Sequence, residues 1–131
     1  MPDLNKASPS SSKQTTGQEI ESHVSTYLQK QGFELLYRNF RCRLGEIDLI
    51  GLYQNQLLFI EVRFRRNTAY GGAAASVDFR KQQKLIKAAQ FFLLKHPKMA
   101  NCACRFDVVA VTLRNQADHE LEIDWIQNAF C

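Results

Sequence analysis

Apolar residues near the amino-terminal end of the chain recur at three- and four-residue spacing, which predicts an amphipathic helix. The apolar stripe consists of Ile20, Val24, Tyr27 and Leu28. Thr16 followed by Glu19 forms a capping-box pattern, in which the two side chains satisfy backbone amides of the first turn. Gly32 follows the stripe and is placed to end the helix.

A second helical pattern follows a stretch of small residues at positions 67–76. Ser76 or Asp78 is placed to cap this helix, and Pro97 ends it near residue 95. Its predicted buried stripe is Phe79, Ile86, Ala89, Phe92 and Leu93. The pattern therefore predicts a helix that packs one face against the rest of the domain.

The remaining apolar segments are rich in aromatic, aliphatic and β-branched residues, which predicts strands. The predicted strands are residues 33–43, 44–53, 56–64, 105–113 and 120–126. The order α-β-β-β-α-β-β predicts one α/β domain, over residues 17–131, with a mixed central sheet flanked by helices. Residues 1–16 are almost entirely polar, and we expect them to form a disordered tail.

Two adjacent strands are predicted to form a hairpin around the polar pair Gln54 and Asn55. Counting back from this turn places Asp48 directly opposite Glu61 on one face of the sheet, with Cβ atoms roughly 4.5–5.5 Å apart. Two carboxylates so close together repel each other unless a positive charge lies between them. Mg²⁺ suits that position because it binds one or two carboxylates and completes its shell with water or phosphate oxygens.

The alternation of side chains along a strand places Arg63 on the same face as Glu61. An acid and a cation side by side are what metal-assisted cleavage of a phosphodiester requires. The alternative interpretation is a solvated hairpin with ordinary surface charges. Asp107, in the fourth predicted strand, is a candidate partner for this site or for Arg105, and the sequence does not decide between them.

The 131 residues are 45% hydrophobic and carry 17 Lys and Arg against 13 Asp and Glu, a net charge of +4. The basic residues cluster around the carboxylate pair and on the second helix, whereas the carboxyl-terminal end is acidic. The cluster includes Arg38, Arg41, Arg43, Arg63, Arg65, Arg66, Lys81 and Lys84. This distribution predicts a face that binds nucleic-acid phosphates, with a solvated helix face as the alternative.

Several protein classes are disfavoured by the sequence. No apolar run approaches the ~20 residues of a membrane helix, and the amino terminus lacks the apolar segment of a secretory signal. The four cysteines form no CxxC pair, so we expect reduced thiols and a cytoplasmic protein. A zinc site built from Cys42, His96, Cys102 and Cys104 is disfavoured by their spacing.

Short motifs around these residues resemble the PD-(D/E)xK nuclease superfamily. The principal motifs are GEIDLI at residues 45–50 and FIEVR at residues 59–63. Others are RNFR at 38–41, YGG at 70–72, the lysine-bearing segment 81–84 and RFDVV at 105–109. In this order and spacing they resemble, more narrowly, the YraN-like family of bacterial proteins, which is similar to archaeal Holliday junction resolvases. The resemblance covers about residues 17–130.

The resemblance implies a restriction-endonuclease-like αβββαβ core in which Asp48 and Glu61 ligate Mg²⁺ or Mn²⁺. It further implies the carbonyl of Val62 as a third ligand. Glu21 matches a family glutamate that orients water at the metal, although a solvent-facing helix charge is the alternative for this residue. The implied activity is that of a DNA endonuclease, with branched or structured DNA as the expected substrate.

One position departs from the superfamily pattern, because Arg63 stands where a catalytic lysine is usual. Arginine cannot serve as a general base, but it can hold a phosphate oxygen. Lys81 or Lys84 on the second helix is a candidate substitute for the lysine.

Two other functions remain open at this stage. One is a nucleic-acid-binding module that has kept the nuclease fold and lost cleavage. The other is a protein-interaction domain whose acidic carboxyl-terminal end recruits a partner. Resolution of a four-way junction would in addition require a homodimer, since two strands must be cut symmetrically.

Overall fold

A computed structural model of the chain describes residues 17–65, 77–115 and 120–130. The elements are α1 (Gly17–Lys30), β1 (Glu34–Cys42), β2 (Gly45–Tyr53), β3 (Gln56–Arg65), α2 (Phe79–Lys95), a 3₁₀ turn (Pro97–Met99), β4 (Ala103–Asn115) and β5 (Glu120–Phe130). The predicted order of two helices and five strands is confirmed. The predicted polar tail over residues 1–16, the small-residue loop over 67–76 and Arg66 lie outside the described residues.

The five strands form one mixed sheet in the order β1-β2-β3-β4-β5. Strands β3 and β4 are parallel, and the other three neighbouring pairs are antiparallel. A parallel pair needs a long crossover connection, which here contains α2. The prediction of a mixed α/β fold is therefore confirmed, and the arrangement is compatible with a restriction-endonuclease-like core. Within the described ranges, neither helix is long and apolar enough to cross a membrane.

The two helices pack on opposite faces of the sheet and create two apolar clusters. Helix α1 contributes Ile20, Val24 and Leu28, which pack with Leu58 and Ile60 of β3. On the other face, α2 packs against the sheet. The helix contributes Leu85, Ala88, Ala89 and Phe92, and the sheet contributes Ile47, Ile50, Leu57, Phe59 and Val108. Strand β3 thus supplies side chains to both clusters and lies at the centre of the fold.

Helix α1 ends as its sequence predicts, in a paired hydrogen-bond arrangement around Gly32. The Phe33 amide donates to the Leu28 carbonyl at 3.0 Å, and the Gly32 amide donates to the Gln29 carbonyl at 3.1 Å. Gly32 has φ +107°, a backbone conformation that favours glycine. This ending directs the chain straight into β1.

The predicted buried stripe of α2 is partly confirmed, because Ala89 and Phe92 are buried and Phe79, Ile86 and Leu93 are not. The buried side chains are Leu85, Ala88, Ala89 and Phe92, whereas Ile86 and Leu93 are half-buried. Phe79 is 72% exposed because it occupies the first helical position, ahead of the turns that contact the sheet. Asp78 is the helix cap and accepts the Lys81 amide at 2.8 Å, whereas the other predicted cap, Ser76, lies outside the described residues.

Asp107 is a buried acid whose hydrogen bonds tie strands together, which resolves its role in favour of Arg105. Arg105 donates to it through Nε at 3.0 Å and Nη2 at 3.1 Å. The Trp125 indole donates at 2.8 Å, and the Asn128 amide donates at 2.9 Å. Trp125 also packs edge-on against Tyr53, with ring centroids 4.8 Å apart. The network joins β4 and β5 to the end of β2.

We expect Asp107→Ala to lower the free energy of unfolding by about 3–5 kcal/mol, because it removes the ion-pair partner of the largely buried Arg105 and the acceptor of the Trp125 indole and the Asn128 amide. Urea denaturation followed by circular dichroism measures the change. Asp124→Ala, at an exposed position on β5, is the matched control. Equal effects of the two substitutions would contradict this account of the network.

Candidate functional site

The hairpin of β2 and β3 has the predicted turn and register. Gln54 and Asn55 both have positive φ, 49° and 67°, which is typical of the two-residue turn that matches strand twist. Pairing then runs from Tyr53–Gln56 to Leu49–Ile60. Asp48 and Glu61 occupy the next step of this register, directly beyond the last of these pairs.

Beyond the Leu49–Ile60 pair, the Asp48 side chain replaces a backbone carbonyl as the hydrogen-bond acceptor between β2 and β3. The Val62 amide donates to carboxylate Oδ2 of Asp48 at 2.8 Å. This bond satisfies a backbone donor where the two strands leave their regular pairing. It also fixes the Asp48 carboxyl between β2 and β3, because the donor is a backbone amide of the sheet and not another side chain that could move.

Glu61 lies beside Asp48 and is 4% exposed. The two carboxyl groups are close enough to share a hydrogen bond and to repel each other when both are charged. Burial and then the charge of Asp48 raise the pKa of Glu61 to about 7. Burial also raises the pKa of Asp48, although the bond from the Val62 amide acts in the opposite direction. Burial and mutual repulsion thus disfavour the doubly charged form of the pair, and a bound cation would stabilise that form.

Two basic side chains approach the same oxygen of Glu61. Arg63 Nη1 lies 3.3 Å from Glu61 Oε2, and Lys81 Nζ lies 3.6 Å from it. Arg63 comes from the same strand, whereas Lys81 comes from the first turn of α2. Of the two candidate lysines, Lys81 is therefore the one placed at the carboxylate pair.

Helix α1 brings a third carboxylate to the site. The Glu21 side chain is 15% exposed, so the interpretation of a solvent-facing helix charge is wrong. Burial and the charge of Asp48 raise its pKa, whereas Arg38 and a hydrogen bond from the Asn39 side chain lower it. Glu21 Oε1 is buried and has no hydrogen-bond partner among the residues that the structure describes. A buried oxygen without a partner is costly unless a ligand or water satisfies it.

Asn39 is a site residue that the sequence reasoning missed. It lies opposite Asp48, since Arg38 pairs with Leu49 and Phe40 with Ile47. Its φ is +54°, a conformation that asparagine adopts more readily than most residues. The signal was present as an asparagine inside an otherwise aromatic and basic strand, but nothing local to the sequence connects it with Glu21.

The remaining predicted basic residues divide between two places. Arg38 turns toward α1, where its Nη2 lies 3.9 Å from Glu21 and 3.2 Å from Ser22 Oγ. Arg41, Arg43 and Lys84 line a groove next to Lys81. The side chain of Arg65 and all of Arg66 and the YGG motif at 70–72 lie outside the described residues.

The donor chemistry of the site fits a small divalent cation. In the ranges that the structure describes, no group of three or more His, Cys, Asp or Glu side chains is arranged to hold a metal ion. Mg²⁺ does not require such a group, because it commonly binds one or two carboxylates and keeps water in its remaining positions. Asp48 and Glu61 provide that pair, and Glu21 Oε1, which makes no hydrogen bond to the described residues, lies on the side of α1.

The sequence matches one family model and many relatives along most of its length. The model of the uncharacterised protein family UPF0102 matches residues 20–111. A UPF0102 protein of Stutzerimonas stutzeri is 51% identical over 120 residues, 92% of this chain and 98% of that protein. A UPF0102 protein of Alcanivorax borkumensis is 49% identical over 119 residues, 91% of this chain and 94% of that protein. The chain therefore belongs to the UPF0102 family.

Proposed function

We propose that this protein is a divalent-metal-dependent nuclease that acts on DNA. The observation that carries the proposal is the pair of buried Glu61 and half-buried Asp48, in which the Val62 amide fixes Asp48 while Arg63 and Lys81 approach Glu61. Buried carboxylates with perturbed pKa values beside cations are typical of catalytic sites. The resemblance of GEIDLI and FIEVR to nuclease motifs points to the same chemistry.

Asp48 and Glu61 would hold Mg²⁺ or Mn²⁺, with the Val62 carbonyl as a further ligand. When bound, such an ion lowers the pKa of water and neutralises charge on a phosphate. The hydrogen bond from the Val62 amide keeps the Asp48 carboxyl oriented before any ligand arrives, which avoids the cost of ordering it later. Glu21 Oε1 would accept a hydrogen bond from a water molecule at the site.

The two cations at Glu61 have different roles in the proposal. Because an arginine side chain is a permanent cation in proteins, Arg63 binds a phosphate oxygen and stabilises charge that develops there. Lys81 supplies an ammonium group from α2, in place of the lysine that the superfamily usually has at position 63. Both groups would exchange part of their contact with Glu61 for contact with the phosphodiester.

The basic face favours a polyanionic substrate, and the family resemblance favours branched DNA. Contacts to phosphates carry little sequence information, so we expect weak sequence preference and strong salt dependence. A homodimer with two such sites is part of the proposal for four-way junctions.

The wild-type protein should cut plasmid and synthetic junction DNA in the presence of Mn²⁺. The same DNA should remain uncut when EDTA removes the metal. We expect Asp48→Asn to reduce the cleavage rate at least about 100-fold, because the amide cannot serve as an anionic ligand. Gel electrophoresis measures the products. Cleavage that survives the substitution would indicate a contaminant. Binding without cleavage in any divalent metal would instead support the DNA-binding module.

Lys81→Met should reduce the cleavage rate by about 10²–10³-fold with a smaller change in substrate affinity, since the ammonium acts at the reacting phosphate. Lys87→Met is the matched control, because Lys87 is an exposed lysine further along α2. Single-turnover kinetics separates the rate from binding. If the two variants cut equally well, Lys81 has no part in catalysis.

The metal-free protein should lose stability between about pH 5 and pH 8, because Glu61 has a higher pKa folded than unfolded. The groups that face it are Asp48, Arg63 and Lys81, with Glu21 beyond Asp48. A raised folded pKa means that the stability contributed by Glu61 is complete below 4.5 and is lost as pH rises through about 7. The difference corresponds to roughly 3 kcal/mol at most.

Thermal unfolding in EDTA of wild type and Glu61→Gln measures this effect. We expect the wild type to lose stability relative to the glutamine variant as pH rises, and Mn²⁺ at high pH to restore the wild type alone. All other side chains are common to the two proteins, so their contributions cancel in the comparison. Parallel pH profiles in EDTA would contradict the assignment of a buried, repelled carboxylate at position 61.

A further inference from the structure

A groove lies beside the carboxylate pair, between the β1–β2 turn and the start of α2. Cys42 pairs with Gly45, so the turn at its rim consists of Arg43 and Leu44. Lys81 and Lys84 face this turn from α2, and the groove has a volume of about 410 Å³. That volume lies within the range of small-ligand sites in proteins.

The base of the groove is set by a close approach of two backbones. Gly45 has φ +155°, and a Cβ atom at this position would lie 3.1 Å from the Lys84 carbonyl oxygen. A side chain there would push the start of β2 away from α2. The glycine therefore fixes the distance between the turn and the helix, and with it the spacing of Arg43 and Lys84.

The groove carries an excess of positive charge. Four cations line it, Arg41, Arg43, Lys81 and Lys84, together with one carboxylate, Glu46. Glu46 lies 4.0 Å from Arg41 Nε, and both side chains are largely exposed. Cations gathered in a concave surface attract an anion more strongly than the same charges on a flat surface.

The groove also offers an apolar contact. Leu44 is 46% exposed at its rim, whereas Leu85 is buried at its base. A free anion gains nothing from an exposed leucine, but the sugar or base of a nucleotide does. Lys81 belongs both to this groove and to the carboxylate pair, since its Nζ lies 3.6 Å from Glu61 Oε2.

We infer that the groove is a nucleotide subsite adjacent to the carboxylate pair. Arg43 and Lys84 bind the phosphate that neighbours the one held at Asp48 and Glu61, and Leu44 packs against the attached sugar or base. The inference rests on the proposed function in its choice of DNA as the ligand. It adds that binding is concentrated in one groove and is not spread over the basic face.

Fluorescence anisotropy in EDTA, where no cleavage occurs, tests the subsite. The probe is a labelled oligodeoxynucleotide of about eight nucleotides, used as a single strand and as a duplex. In the form that binds more tightly, Arg43→Gln and Lys84→Gln should each weaken affinity several-fold and lower the slope of log K against log salt by about one. Lys30→Gln, an exposed lysine at the end of α1, is the control and should change neither value.

Leu44→Ser separates nucleotide binding from simple anion binding. It should weaken binding of the oligonucleotide without changing the salt slope, because it removes an apolar contact and no charge. If Arg43→Gln and Lys84→Gln behave like Lys30→Gln, the subsite is absent and binding is diffuse. If they act as expected while no metal supports cleavage, the subsite stands and the proposed nuclease activity fails.

Discussion

The hydrogen bond from the Val62 amide to Asp48 Oδ2 is the constraint on which the rest of the site depends. The regular pairing of β2 and β3 runs only as far as Leu49 and Ile60, so the next amide needs an acceptor of another kind. A carboxylate meets that need and is fixed by doing so. The same bond thus completes the backbone of the central hairpin and holds an acid beside Glu61. The structural role of this carboxylate and the metal binding proposed for it therefore do not compete.

Two buried acids in the same sheet show how differently a carboxylate can be used. Asp107 accepts hydrogen bonds from Arg105, Trp125 and the Asn128 amide, and its charge is fully compensated. Glu61 has cations at 3.3 and 3.6 Å but also the charge of Asp48 at close range. The first arrangement stabilises the fold, whereas the second leaves a charge that a ligand can satisfy. The two acids are almost equally buried, at 4% exposure for Glu61 and 1% for Asp107, so burial does not distinguish their roles. Their hydrogen-bond and ion-pair partners do distinguish them.

The parts of the fold that depend on local sequence were predictable. Gly32 ends α1 and the pair Gln54–Asn55 forms the hairpin turn, as predicted, and the structure gives all three residues a positive φ. The burial of Leu85 and Ala88 in α2 was not predicted in this way, because the apolar residues of this helix occupy more than one face and only contact with the sheet selects among them. Phe79 was misassigned because it lies at the first helical position, ahead of the turns that contact the sheet.

The same distinction applies to the candidate site. The proximity of Asp48 to Glu61 followed from counting along one hairpin, since the register is a local property. The position of Arg38 against α1, and that of Asn39 beside Glu21, depends on how a helix distant in sequence packs against β1. Nor does the spacing of residues along the chain show that Lys81, and not Lys84, reaches Glu61.

The charges at the site also connect it with the neighbouring groove. Among the described residues, three carboxylates meet three cations there: Glu21, Asp48 and Glu61 against Arg38, Arg63 and Lys81. With all three carboxylates charged, a divalent cation bound among these groups would leave two positive charges in excess. A single phosphodiester carries one negative charge, so it would neutralise only half of that excess. The cations of Arg43 and Lys84 lie in the adjoining groove, where the next phosphate of the same strand would lie. In the proposed complex, metal and groove therefore act together: the bound ion makes the site positive, and a strand that spans both places supplies more than one phosphate to meet it.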